Sequence, residues 1–197
     1  MKRFIIKGPN KAIKADLNIS GAKNACLPLM AASILFKNKV TLKNVPFVKD
    51  VYTMKDLLIS LGAKVEFSVS KKIMIISNIK NHKLLVPYNL VSTMRAGVLT
   101  MGSLLGRYPK KKIKVALGGG GALGVRDTNW HLAGFKSLGA KNDLHNGYVN
   151  ISTKKGLKGS SYKFPKVTVT GTSNLIMASI FAKGTQYIKN ISIEPEV

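Results

Sequence analysis

Three cations in this sequence stand beside glycines or at the mouths of helices, where a positive charge is best placed to bind an anion. Lys23 ends the turn ISGAK (19–23), Arg95 interrupts an apolar run at 88–105, and Arg126 follows VALGGGGALGV (115–125) with its four consecutive glycines. Guanidinium and ammonium groups near helix N-termini hold phosphate and carboxylate groups well. A glycine run leaves backbone N–H groups bare, which suits a mobile loop or an anion nest. The glycines alone fit a plain flexible connection equally well. No Gly-Lys-Ser/Thr follows them, so they form no P-loop, and Asp143 is a poor match for the acid that a dinucleotide fingerprint needs about twenty positions on.

Other chemistries have less to work with. The chain carries 32 Lys+Arg against 8 Asp+Glu, a formal net charge of +24. Such a field attracts nucleic acid, phosphorylated metabolites and anionic membranes alike. The lysines are scattered over every segment, which reads as a diffuse solvated surface. Their aromatics are not interleaved as a base-stacking platform requires, so no nucleic-acid partner is expected, and a basic nucleic-acid-binding protein stands as the alternative from another class. Eight acids spread along the chain form no carboxylate pair or metal cluster, and His82, His131 and His145 lack metal-ligand spacing, so neither metal nor cofactor is expected. The lone Cys26 lies in the apolar run ACLPLM (25–30), allows no intrachain disulfide, and reads as a buried structural thiol. No apolar run approaches the roughly 18–20 residues of a membrane span, and MKRFIIK (1–7) is too short for a signal-peptide core. A soluble, cytoplasmic protein is the expectation.

The elements that would position these cations repeat. ISGAKN (19–24), AASIL (31–35) and VTLKNV (40–45) read as strand end, glycine turn, apolar helix and strand, and the order returns in VTGTSN (169–174), MASIF (177–181) and QYIKNI (186–191). Asn24 and Asn174 occupy equivalent places after the turn. A second echo pairs 50–64 with 127–141, two amphipathic helices with Asp50 and Asp127 as N-cap residues, Gly62 and Gly139 as C-cap glycines, and a Leu57, Leu58, Leu61 stripe in the first. Two β-type runs follow each helix. Between the echoes lie a helix over 88–105 that carries Arg95 and a strand over 113–117 that leads into the glycines. The predicted class is α/β: βαβαββ units stated about two and a half times, packed around shared helices. The third unit breaks off at EPEV (194–197), which reads as a truncation.

The motifs ISGAKNA (19–25), NVP (44–46), KDV (49–51), TMRA (93–96), GGGALGVR (119–126), His131, LGA (138–140) and VTGT (169–172), in this order along 1–197, resemble the UDP-N-acetylglucosamine 1-carboxyvinyltransferases, enolpyruvyl transferases of bacterial cell-wall synthesis. Shikimate-type enolpyruvyl transferases share the architecture, but the 19–24 and 119–126 motifs favour the sugar-nucleotide branch. The resemblance implies an inside-out α/β barrel. In it, 1–20 is a strand segment that goes with a second lobe, and 21–197 is the lobe that bears the catalytic loop, its third unit incomplete. It further implies that Lys23, Asn24 and Arg126 bind phosphoenolpyruvate. Arg95, Arg126, Asp127, Thr128, Asn129, Trp130, His131, Lys166, Val167, Thr168 and Val169 would bind UDP-N-acetylglucosamine. The reaction would move an enolpyruvyl group onto the sugar 3-hydroxyl and release phosphate, without metal or organic cofactor. Two departures follow. Gly121 stands where the family places a proton-donating cysteine or aspartate that also reacts with an epoxide antibiotic, so resistance to that epoxide is expected. The C-terminal lobe that supplies a catalytic aspartate is missing, so turnover by these 197 residues alone is doubtful, and a degenerate member that binds without turnover is the near alternative.

Overall fold

The structure, a computed structural model, describes residues 3–8, 11–77, 83–92, 94–117 and 128–197, with the backbone alone at Arg95. Residues 3–8 and 11–22 adopt neither helix nor strand. From there the chain runs α1 (Lys23–Ala32), a 3₁₀ turn (Ser33–Leu35), β1 (Val40–Leu42), α2 (Lys49–Ser60), β2 (Lys64–Ser68) and β3 (Ile73–Ser77). It continues through β4 (Leu85–Val86), α3 (Tyr88–Val91), a second 3₁₀ turn (Arg95–Val98), α4 (Leu99–Arg107), β5 (Ile113–Ala116), α5 (Asn129–Ser137), β6 (Lys141–His145) and β7 (Tyr148–Ser152). The last elements are β8 (Ser161–Lys163), α6 (Val169–Ser179) and β9 (Tyr187–Lys189).

The sheets carry the repeat. The middle sheet has the order β4-β5-β7-β6, with β4 parallel to β5 and the other pairs antiparallel. The first sheet, β1-β3-β2, is antiparallel throughout and reproduces that order without its leading strand. The third, β8 parallel to β9, reproduces its leading pair. The expected βαβαββ unit is therefore complete in the middle and partial on either side. Helices occupy the inside. Every residue of α4 from Leu99 to Gly106 is buried, as is α6 from Gly171 to Leu175. A helix apolar on all sides must be surrounded by protein. α4 packs along α6 and touches α1, and it also meets β5 of the middle sheet.

Close approach of α4 and α6 depends on two glycines one helical turn apart. A Cβ at Gly102 would run into the Asn174 carbonyl and side chain, and one at Gly106 would stand 2.5 Å from the Met177 carbonyl oxygen. The other glycines that matter end elements. Gly62 (φ 102°) and Gly139 (φ 89°) close α2 and α5 in the left-handed conformation, as their places after the apolar stripes predict. Asn146 (φ 48°) and Gly147 (φ 74°) supply two positive φ values in a row, the requirement of a type I′ turn, and join β6 to β7.

Several local expectations are corrected. The single helix over 88–105 is broken, because Met94 is extended (φ −143°, ψ 116°) and Gly97 tucks against the Val91 side chain, so Arg95 opens a 3₁₀ turn instead of lying within a helix. α2 is preceded by Val48, which offers no side-chain cap, and Asp50 falls in the first turn, where its charge opposes the positive end of the helix dipole. Asp127 lies outside the described residues, and α5 has Thr128 at its N-cap position. The VTGTSN turn is instead the first two turns of α6, capped by Thr168, whose Oγ1 accepts from the Gly171 N–H at 3.2 Å. The Leu57, Leu58 and Leu61 stripe is fully buried, as its spacing predicts.

Candidate functional site

Three helix starts and one 3₁₀ turn carry the candidate residues that the structure describes. At the first, α1 begins directly after the ISGA stretch with Ala22 as its N-cap residue, which has no side-chain group to cap the first turn. The orphan N–H groups of that turn carry the positive end of the helix dipole, a favourable place for a phosphate. Lys23 and Asn24, both exposed, sit at this end. The Lys23 ammonium donates to an Asp50 carboxylate oxygen at 3.0 Å, so α1 and α2 present their N-termini side by side with a cation and an anion between them. Both partners are substantially exposed, and such a pair is worth little in stability. Its consequence is positional: the Lys23 ammonium lies against Asp50, between the α1 and α2 starts.

The second start is α5, whose first turn holds Asn129, Trp130 and His131 and whose N-cap residue Thr128 makes no side-chain capping hydrogen bond. Tyr162 of β8 donates its hydroxyl to the Trp130 carbonyl at 3.0 Å and fixes this turn from the outside. Burial raises the pKa of that hydroxyl above its ordinary value, which keeps it protonated as a donor. The third start is α6, approached through exposed Lys166 and Val167 and half-buried Thr168 and Val169. Here Thr168 satisfies part of the terminus itself.

Asn174 joins these parts. Completely buried in the second turn of α6, it accepts the Gly102 N–H of α4 at 2.7 Å, donates from Nδ2 to the Val98 carbonyl at 2.9 Å, and lies 2.8 Å from His131 Nδ1. One amide thus ties the turn that begins with Arg95 to α4, α6 and the start of α5. The sequence repeat put Asn24 and Asn174 in equivalent places, but their environments are opposite. α6 begins at Val169, whereas α1 begins at Lys23, the counterpart of Ser173. Asn24 therefore lies at an open helix end and Asn174 inside a packed helix. The signal that could have found this role is Gly102, a glycine within an apolar helix, which marks a close approach.

Of the residues expected to bind ligands, His131 meets Asn174, which also donates to the Val98 carbonyl of the Arg95 turn, while Asn129 and Trp130 precede His131 in α5 and Lys166 to Val169 lead into α6. Lys23 and Asn24 stand at the α1 terminus. Gly121, Arg126 and Asp127, and the Arg95 side chain, lie outside the described residues. Cys26 is 7% exposed, and burial pushes its thiol up to about 11, the inert structural thiol expected. Among the described residues no helix is long and apolar enough to cross a membrane.

The fold is one known from solved enolpyruvyl transferases. The enolpyruvyl transferase NikO of Streptomyces tendae matches over 90% of this chain and 41% of its own, with a TM-score of 0.76 at 13% identity. An EPSP synthase of Acinetobacter baumannii matches over 95% of this chain and 43% of its own, with a TM-score of 0.73 at 16% identity. A family model described as EPSP synthase (3-phosphoshikimate 1-carboxyvinyltransferase) matches residues 7–197, and the chain belongs to that family. Its curated relatives include UDP-N-acetylglucosamine 1-carboxyvinyltransferases of Pelagibacter ubique, 46% identical over 197 residues, and Gluconobacter oxydans, 42% identical over 197 residues. One of Rickettsia prowazekii is 43% identical over 199 residues. Each alignment covers all of this chain and 46% of the relative, so the chain spans about half the length of these relatives.

Proposed function

We propose that this chain is the loop-bearing part of a UDP-N-acetylglucosamine 1-carboxyvinyltransferase, which moves an enolpyruvyl group from phosphoenolpyruvate to the 3-hydroxyl of UDP-N-acetylglucosamine in peptidoglycan synthesis, in the cytoplasm. The observation that carries this reading is the 40–46% identity to relatives of that name over every residue of the chain. In the proposed site Lys23 and Asn24 at the uncapped α1 terminus, with Arg126, hold the phosphate and carboxylate of phosphoenolpyruvate. Arg95, Arg126 to His131 and Lys166 to Val169 grip the sugar nucleotide. Two polyanions brought together need cations around them, and a loop that excludes water over them strengthens each contact.

A second lobe completes the site in this reading, with residues 1–20 belonging to it. Phe4, Ile5, Ile6, Ile13, Leu17 and Ile19 support that division, because all six are exposed on a stretch without regular structure. Gly121 favours a second reading, binding without turnover, since glycine has no proton to give and general-acid help of about 10²–10⁴ would be lost.

Titration with UDP-N-acetylglucosamine tests the proposal. At about 100 times its Kd the ligand stabilises the chain by about 2.7 kcal/mol, a rise in Tm of about 5–10 °C for a protein of this size. Phosphate release from phosphoenolpyruvate that depends on the sugar nucleotide identifies the enzyme, and stabilisation without release identifies the binding form. A chain that neither melts higher with the sugar nucleotide nor releases phosphate refutes both.

A further inference from the structure

We propose that Asn174 is a positioning residue: it holds His131 in the tautomer protonated at Nε2, so that the ring meets an oxygen of the bound sugar nucleotide as a hydrogen-bond donor. The ligand half of this inference rests on the function proposed above; the tautomer does not.

The tautomer follows from donors and acceptors around one buried amide. The Gly102 backbone N–H can only donate, and it points at one end of the Asn174 amide from 2.7 Å. The Val98 carbonyl can only accept, and it lies 2.9 Å from the other end. Flipping the amide would set NH₂ against N–H at the first contact and oxygen against oxygen at the second. Both backbone partners therefore demand the same orientation, with Oδ1 towards α4 and Nδ2 towards the Arg95 turn. One Nδ2 hydrogen goes to Val98. The other faces His131 Nδ1 at 2.8 Å. A proton on Nδ1 would put two donors head to head at that distance, so Nδ1 accepts, and a neutral imidazole that accepts at Nδ1 carries its proton on Nε2. Asn174 is 0% and His131 6% exposed, so water does not compete for these contacts. In low-dielectric surroundings a mismatched donor pair is expensive, which makes the choice of tautomer firm.

The consequence is functional because of where His131 sits. It is the third residue of α5, next to Asn129 and Trp130, and phosphate, carbonyl and hydroxyl oxygens of a sugar nucleotide all accept hydrogen bonds. Asn174 need not touch the ligand. It sets the chemical character of the ring through a contact 43 residues away in sequence, and the same amide holds the turn that starts at Arg95.

The test uses the full chain with ¹⁵N-labelled histidine and a long-range ¹H–¹⁵N correlation spectrum, the His131 signals being assigned from their loss in His131→Gln. An unprotonated Nδ1 and a protonated Nε2 are expected in the ligand-free chain. A protonated Nδ1, or two averaged nitrogens, overturns the lock without recourse to any variant. Asn174→Asp keeps an acceptor for Gly102 but can only accept at the ring, so Nδ1 should gain a proton, and an Nδ1 that stays bare removes Asn174 as the cause. For the ligand half, UDP-N-acetylglucosamine is titrated into His131→Gln, whose amide can place N–H where Nε2 stood, and into His131→Asn, which cannot reach. Affinity within about threefold of the parent is expected for the first and a loss of about tenfold for the second, the worth of one hydrogen bond. Equal losses overturn the donor role. If the unaltered chain shows the Nε2–H tautomer yet binds no UDP-N-acetylglucosamine, the proposed function and the ligand half fall while the lock stands.

Discussion

Replacing Gly102 by alanine tests whether the α4–α6 contact has the tightness on which the site depends. In an open helix the change would stabilise by about 1 kcal/mol, because alanine loses less backbone freedom than glycine. Here the added Cβ would lie 2.5 Å from Asn174 Oδ1 and 2.9 Å from its carbonyl carbon, with the carbonyl oxygen nearer still. Backbone cannot rotate away, so the helices must separate. Overpacking of that kind costs about 1–3 kcal/mol. Moving Asn174 also strains the Gly102, Val98 and His131 contacts, and leaving one such buried group unpaired costs about 1–3 kcal/mol more. The balance is a loss of about 1–5 kcal/mol, or a fall in Tm on the order of 10 °C for a chain of this length. Gly134→Ala is the control. Its Cβ would meet Leu175 methyl carbons at 3.2 and 3.3 Å, ends of a side chain that can turn, and its stability should stay within about 1 kcal/mol of the parent. Thermal and urea melts of the two variants decide the matter. A Gly102→Ala chain that melts at or above the parent, or two variants that fall equally, would show that the α4–α6 spacing is not set by this glycine.

The buried thiol and the bare loop position yield further predictions. Burial raises Cys26 from 9.0 to about 11, so between these values the unfolded chain has lost its thiol proton and the folded chain has not. Stability contributed by this group is constant below pH 9 and falls as pH rises through that window, and alkylation at pH 8 should be slow in the native chain and fast in denaturant; fast native labelling would contradict the burial of α1. At the loop, the unaltered chain should take no covalent label from an epoxide analogue of phosphoenolpyruvate, whereas Gly121→Cys should be labelled there and gain about 10²–10⁴ in turnover once the second lobe is present. Mass spectrometry finding the label within 118–127 of the unaltered chain would refute the first of these.

The repeat, the C-cap glycines at 62 and 139 and the buried stripe of α2 were all readable in the sequence. The cap glycines and the stripe depend on residues within a turn or two of one another, where side-chain size and φ preference act directly. Helix starts were read less well. Asp50 looks like a cap and is a first-turn acid paired with Lys23, because Val48 and its neighbours begin the helix two residues earlier. The break after α3 had no sequence signal beyond Gly97, whose meaning comes from its contact with Val91.

What the chain's order of residues determined by itself is the βαβαββ unit, its family, and the types of group available to an anion site: ammonium, guanidinium and bare N–H. Tertiary structure alone decided what two equivalent asparagines became. Asn24 and Asn174 share a motif, yet one stands exposed at a helix mouth and the other is sealed between α4 and α5. The partners that seal Asn174 lie 43, 72 and 76 residues away, and a motif of six residues carries no information about them. Burial is a property of the packed helix face, and it turns an ordinary amide into the group that selects a histidine tautomer.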